Sequence, residues 1–239
     1  MEIKVLASGS SGNCYFISDG SSSLLLDAGL SIRQIRIGCD FRLAEVSAVL
    51  ITHHHGDHSK AVKDLLYAGY KVCIPRLEAE QIPLVFGGKR IHFLKHTEDE
   101  YEPFQAGSFC ILPFRVQHDT PEPVGYLIGS NTTGEKLLYF TDTYYLRYRF
   151  SGMTHIIGEC NYDDETLQEH LEQGLTPSAR AKRLFTSHMS LHNLMDFLRA
   201  SDLSRLQQIY LCHMSDDHSN EARIRTAIQR LTGAEVYIC

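Results

Sequence analysis

The 239-residue sequence has no C-x-x-C pair, and its seven cysteines (Cys14, Cys39, Cys73, Cys110, Cys160, Cys212 and Cys239) are scattered and odd in number. That spacing argues against a disulfide framework and against a thiolate zinc site. No apolar run approaches the roughly 20 residues that a membrane helix needs. The N-terminal residues enter the strand-like Ile3-Lys4-Val5-Leu6 at once, with no basic region ahead of an apolar core. No signal peptide and a cytoplasmic location are therefore expected. Excess positive charge is absent too: 23 Lys+Arg against 29 Asp+Glu leave a net charge of -6. Any phosphate binding must then come from a local patch or a metal. Internal repeats and low-complexity stretches are missing, so one domain over residues 1–239 is expected at this length.

Strand signals fill the first half. Residues 3–7, 14–17 and 24–26 are apolar, with turn chemistry at Ser8-Gly9-Ser10-Ser11-Gly12-Asn13 and a hairpin signal at Asp19-Gly20. The run 46–52 reads as a strand buried on both faces. A helix through Val62, Leu65 and Leu66 follows, with Ser59 as its expected N-cap and Gly69 as its stop. Further strands are expected at 71–74, 91–94, 109–112, 114–116, 126–128 and 137–140. Beyond residue 164, helical patterns (167–171, 191–198, 222–231) alternate with strands at 155–158, 209–212 and 236–238. Strand-rich first and alternating later, the pattern predicts an α/β fold: two sheets packed as a sandwich with helices on the outer faces.

Histidine is what stands out. Thirteen are present, four of them in the run His53-His54-His55-Gly56-Asp57-His58. This run sits just past a buried strand, where loops carry function on a rigid scaffold. Imidazole and carboxylate together suit zinc, manganese or iron. Alternate spacing can aim His53 and His55 at one ion, with Asp57 and His58 placed for a second. One loop cannot supply two ions. His118, Asp142 and His213 each follow a predicted strand and complete a set of candidate ligands. His54, His92, His96, His155, His170, His192 and His218 lack the strand-end spacing and are read as non-ligands.

With Leu26-Asp27-Ala28-Gly29 ahead of it, this ordered set resembles the five motifs of the metallo-β-lactamase superfamily, over most of the chain. The resemblance implies an αββα sandwich with two mixed sheets. It also implies His53, His55 and His118 on one metal, Asp57, His58 and His213 on the other, Asp142 bridging, and Asp27 as a buried structural carboxylate. The runs Leu6–Asn13, Glu159-Cys160-Asn161-Tyr162-Asp163, Ser187-His188-Met189-Ser190 and Cys212-His213-Met214-Ser215 look like the YycJ (WalJ) branch, whose members are regarded as DNA exonucleases. Ser187 and Met189 depart from the glycine and leucine usual there.

Together these readings predict a metal-dependent phosphodiesterase acting on DNA through a hydroxide bridging two zinc or manganese ions. Asp57 is expected to orient the hydroxide, and His188 to protonate the leaving group. Ser190 is a candidate cap for the helix after it. Ser10, Asn13, Asn161, Arg180 and Arg183 are candidate substrate-binding residues, and Tyr144, Tyr145 and Tyr148 with Arg147 and Arg149 form a mixed aromatic and basic stretch. Two rivals stay open: a small-molecule hydrolase cleaving a cyclic phosphodiester, lactone or thioester, and a non-hydrolytic metal protein.

Overall fold

A computed structural model of the chain describes residues 1–83, 90–98, 100–215 and 217–239. These residues group into two units, Met1–Arg115 with Thr120–Glu135, and Val116–Asp119 with Lys136–Cys239.

In the first unit the N-terminal apolar runs form β1 (Glu2–Ala7), β2 (Cys14–Ser18) and β3 (Ser23–Leu26), joined antiparallel. Asp19-Gly20 turns β2 into β3 as its chemistry predicts. The Asp19 N–H donates to Ser22 O, and Gly20 takes a φ of 85°, which only glycine adopts freely. α1 (Ile32–Gly38) begins at a capping box in which Ser31 and Gln34 satisfy each other's backbone N–H groups. β4 (Val46–Leu50), α2 (Gly56–Ser59), α3 (Val62–Tyr67), β5 (Val72–Ile74), α4 (Arg76–Gln81) and β6 (Ile91–Phe93) follow. The sheet order is β1-β2-β3-β4-β5-β6, and β3 to β6 run parallel. Ile35 of α1 and Val62 and Leu65 of α3 pack over Phe16, Leu25, Val49 and Ile51, all buried. An antiparallel run of β7 (Phe104–Ala106), β8 (Phe109–Arg115) and β9 (Val124–Ser130) belongs to the same unit.

Two local expectations are corrected here. Ser59 does not cap a helix. It is the last residue of α2 and its hydroxyl donates to His54 O, while α3 starts after Ala61 with no side-chain cap. The cause is long-range: Ala61 N–H donates to Ala28 O, and His58 O accepts from Ala28 N–H, so the chain is pinned to the end of β3 between the two helices. The two strands expected at 109–112 and 114–116 are one, β8, which ends at Arg115. Pro113 stays in register opposite Tyr126 and lies past the end of the β7 pairing, where its missing N–H costs no ladder bond.

The second unit carries β10 (Lys136–Phe140), β11 (His155–Glu159), β12 (Gln208–Cys212) and β13 (Glu235–Ile238), parallel and in chain order. α5 (Asp164–Glu172), α6 (Ser178–Ser187) and α7 (Leu191–Arg199) lie between β11 and β12 in the chain, and α8 (Glu221–Thr232) between β12 and β13. Ser190 caps α7, its side chain accepting from Asn193 N–H. Leu194 and Phe197 of α7, Ile224 and Ile228 of α8, and Ile156, Ile157 and Leu211 of the strands are buried. β3, β10 and β12 are mostly apolar, and polar residues (Asp27, Thr141 and His213) follow directly at their C-terminal ends. Those ends are where ligands are held in α/β sheets. No helix among the described residues is long and apolar enough to cross a membrane.

Candidate metal centre

Three residues just past parallel strands share the left-handed backbone region. Asp27 after β3, Asp142 after β10 and His213 after β12 have φ of 54°, 48° and 53°. Such a conformation costs an L-residue about 1–2 kcal/mol. Strain held at three strand ends, each bearing a donor side chain, marks positions where side-chain direction outweighs local comfort.

In the first unit Asp27 organises the histidine run. Its fully buried carboxylate accepts from Thr52 N–H at 2.8 Å, from the Thr52 hydroxyl, and from His58 Nδ1 at 2.8 Å. The Thr52 hydroxyl, having given its proton to Asp27, accepts from His53 Nδ1 at 3.1 Å. Both rings thus carry the proton on Nδ1 and present Nε2 as a lone pair. The network assigns these tautomers, and the Asn13 amide agrees, its Nδ2 lying 3.1 Å from His58 Nε2. His53 Nε2 stands 3.1 Å from His55 Nδ1, and His58 Nε2 stands 3.4 Å from Asp57 Oδ2. The backbone is tight as well. A Cβ on Gly29 would come within 1.7 Å of Asp57 O, so only glycine permits β3 and the metal loop to lie this close.

In the second unit Asp142, Glu159, His188 and His213 each offer a donor atom, all within 4.8 Å of one another. Glu159 is the residue that sequence reasoning missed. Fully buried at the end of β11, it accepts from His188 Nδ1 at 2.6 Å, His213 Nδ1 at 3.1 Å and Thr143 N–H at 2.9 Å. The strand-end rule applied to Asp142 and His213 selects it equally, because an acid closes the strand that runs through Ile156, Ile157 and Gly158. The rings of His188 and His213 stack at 5.3 Å. Burial would raise the carboxyl of Glu159 and lower His188. The charge and hydrogen bond that the two share reverse both, holding Glu159 below and His188 above its ordinary value. His118 sits with its side chain nearly buried and its ring 6.3 Å from that of His188.

The candidate substrate residues separate. Ser10 is exposed on its turn, whereas Asn13 is buried and locked, its amide bonded to Gly9 O and to His58. Asn161 is buried and donates to His213 O at 2.6 Å; its Oδ1 has no hydrogen-bond partner among the described residues. Arg180 pairs with Asp217 at 3.1 Å, and Arg183 lies 4.0 Å from Asp119, both arginines exposed.

The donors fit a divalent cation. Nitrogen and carboxylate ligands about 2.0–2.1 Å from zinc in tetrahedral geometry stand about 3.3 Å apart, by simple trigonometry. The 3.1 Å and 3.4 Å separations above are of that size. Each outer ring nitrogen that donates to a carboxylate or hydroxyl matches the way metal-bound histidines are oriented.

Fold and donors define a metal-dependent hydrolase. Residues 7–143 match the Metallo-beta-lactamase superfamily, and the chain belongs to that family. It is similar to the exodeoxyribonuclease YycJ of Bacillus anthracis, 26% identical over 251 residues that cover 97% of this chain and 89% of the relative. The exodeoxyribonuclease WalJ of Streptococcus pneumoniae serotype 2 (strain D39 / NCTC 7466) is 28% identical over 249 residues, covering 97% and 88%. Among solved structures, the metallo-beta-lactamase fold protein YhfI from Bacillus subtilis superposes with a TM-score of 0.74 at 17% identity, over 99% of this chain and 95% of that one. That likeness shows the fold: two mixed sheets with helices around them, as the sequence predicts.

Proposed function

We propose that the protein is a metal-dependent phosphodiesterase that degrades DNA from an end, in the cytoplasm. In this reading His53, His55, Asp57, His58, His118, Asp142 and His213 together hold two divalent ions, zinc or manganese. The observation that carries it is the use of two buried carboxylates, Asp27 and Glu159, to fix histidine rings with one nitrogen turned to an acceptor role. Fully buried carboxylates are expensive unless something is gained by holding the groups they bond. The two exodeoxyribonuclease relatives support DNA as the substrate.

When bound, two divalent ions activate a water and stabilise charge on the phosphate oxygens. The chain's own residues supply the rest. Asp57, with one oxygen beside His58 Nε2, orients the attacking water and receives its proton on the other. His188, held through Nδ1 by Glu159, presents Nε2 to the leaving oxygen as a proton donor. Asp142 Oδ1, 3.4 Å from both His188 Nδ1 and His213 Nδ1, keeps these groups in one geometry.

The test loads purified protein separately with manganese and zinc, and offers end-labelled DNA and a bis-aryl phosphodiester. Release of mononucleotides from one end supports the reading. Hydrolysis of the aryl ester with DNA left intact overturns it in favour of a small-molecule hydrolase. Asp57→Ala is expected to abolish turnover. His188→Ala should lose roughly 10²–10⁴-fold, less on a substrate with a very good leaving group.

A further inference from the structure

The basic residues on α6 do not act alike. Ala179, Lys182, Arg183 and Thr186 recur at i, i+3, i+4 and i+7, so they share one helix face. The other face, with Ala181 and Leu184, packs against Tyr162, Leu167 and Leu171. The outer face is not merely solvated: it forms one wall of a cavity of about 580 Å³ that His118, Asp119 and Tyr144 also line. Arg180 is outside this cavity and is engaged by Asp217. Lys182 has no carboxylate partner among the described residues, and the Arg183 contact with Asp119, at 4.0 Å and largely exposed, is easily broken. Two cations against one carboxylate give the wall a net positive charge in an acidic protein.

We infer that this cavity is a nucleotide subsite in which Lys182 and Arg183 hold a phosphate and Tyr144 stacks a base. The inference rests on the phosphodiesterase reading, because its place in the reaction comes from His118, a proposed ligand, together with the neighbours of Asp142 and His188 in the chain. Tyr144 follows Asp142 by two residues and Ser187 precedes His188; both line the cavity. A strand whose reacting phosphate lies among those residues extends its next nucleotide into the cavity. The volume falls within the range of about 300–1,000 Å³ that takes drug-sized ligands, which is room for a nucleotide. Aromatic stacking accepts any base, so the subsite favours single-stranded ends without strong sequence preference.

The experiment measures fluorescence anisotropy of a labelled decathymidylate with phosphorothioate linkages, which binds without being consumed. Lys182→Ala is expected to weaken binding on the order of tenfold and to make the salt slope shallower by about 0.7, the single-strand value per neutralised phosphate. Lys182→Arg should restore both. Tyr144→Leu should weaken binding on the order of tenfold, while Tyr144→Phe, which keeps the ring, should bind like the parent. Arg199→Ala, at an exposed arginine paired with Asp196 elsewhere on the second unit, serves as the charge control. Parental affinity and salt slope in Lys182→Ala, or equal binding by the leucine and phenylalanine variants, overturns the subsite. Binding is read without turnover, so this result stands apart from the metal-loaded assay that decides the phosphodiesterase reading.

Discussion

Replacing Asp27 with asparagine isolates what the buried carboxylate does for the metal loop. The backbone there sits at a φ of 54°, which asparagine tolerates as readily as aspartate, so no new strain is introduced. The asparagine carbonyl can keep the 2.8 Å bond from Thr52 N–H. Its amide must then face His58 Nδ1 across the 2.8 Å now occupied by a carboxylate oxygen. Two N–H groups cannot meet at that distance, so His58 has to move its proton to Nε2. That removes the lone pair which Asn13 Nδ2 addresses in the structure and which a metal would take. Loss of such an outer-shell partner weakens metal binding about 10–100-fold. At about 1.4 kcal/mol per factor of ten, this is about 1.4–2.8 kcal/mol. Competition against a chromophoric chelator measures the affinity, and ¹⁵N chemical shifts of the imidazoles report the tautomer. Unchanged affinity with the proton moved, or a proton still on Nδ1, would refute the reasoning.

Three further outcomes are expected. Asp19 accepts from Ser21 and Ser22 N–H and from the hydroxyls of Ser108 and Ser130, which together outweigh burial and hold its carboxyl at about 2. A depressed value means that its stabilisation is present above the unfolded pKa of about 3.9 and is lost as pH falls toward 2. An unscreened shift of that size would give about 2.5 kcal/mol, and with solvent near the turn about 1 kcal/mol is expected. Urea unfolding should show the parent more stable than Asp19→Asn at pH 7 and the gap closing below pH 4. Glu78, fully buried, accepts from His54 N–H and Nδ1 on one oxygen and from Glu122 N–H on the other, so Glu78→Gln leaves a donor facing a donor. Unfolding of the metal-free protein should show a loss of about 1–3 kcal/mol. Glu159→Gln should release His188 from its carboxylate partner and lower the apparent pKa of His188, read by NMR titration of the metal-free protein.

Much of this was legible because strand ends announce themselves. The apolar run that stops at Leu50 before Thr52 and His53 is visible in the sequence, as are those that stop before Asp142 and His213. The Asp19-Gly20 hairpin and the Gly69 stop follow from local φ preferences alone. Long-range pinning was not legible. Nothing local splits α2 from α3; the bonds of Ala28 to His58 and Ala61 do. Pro113 reads as a break until the register shows it lying past the end of β7. α1 carries a readable start in Ser31 and Gln34, but its seven residues are too few to show a clear apolar period. Glu159 was hidden for a different reason: one acid after an apolar strand is common, and only its four donors, His188, His213 and the N–H groups of Thr143 and Met189, separate it from a turn residue. The two arginines of α6 look equivalent in sequence, and the cavity is what divides them.

The central claim, that the histidine loop and the strand-end residues of the second unit serve two divalent ions, is tested most directly by counting ions. Protein loaded with zinc or manganese, desalted, and analysed by plasma mass spectrometry should carry about two ions per chain. The double variant His53→Ala with His55→Ala, and the single variant His213→Ala, should each retain about one or fewer. One ion or none in the parent, or two in either variant, would contradict the account.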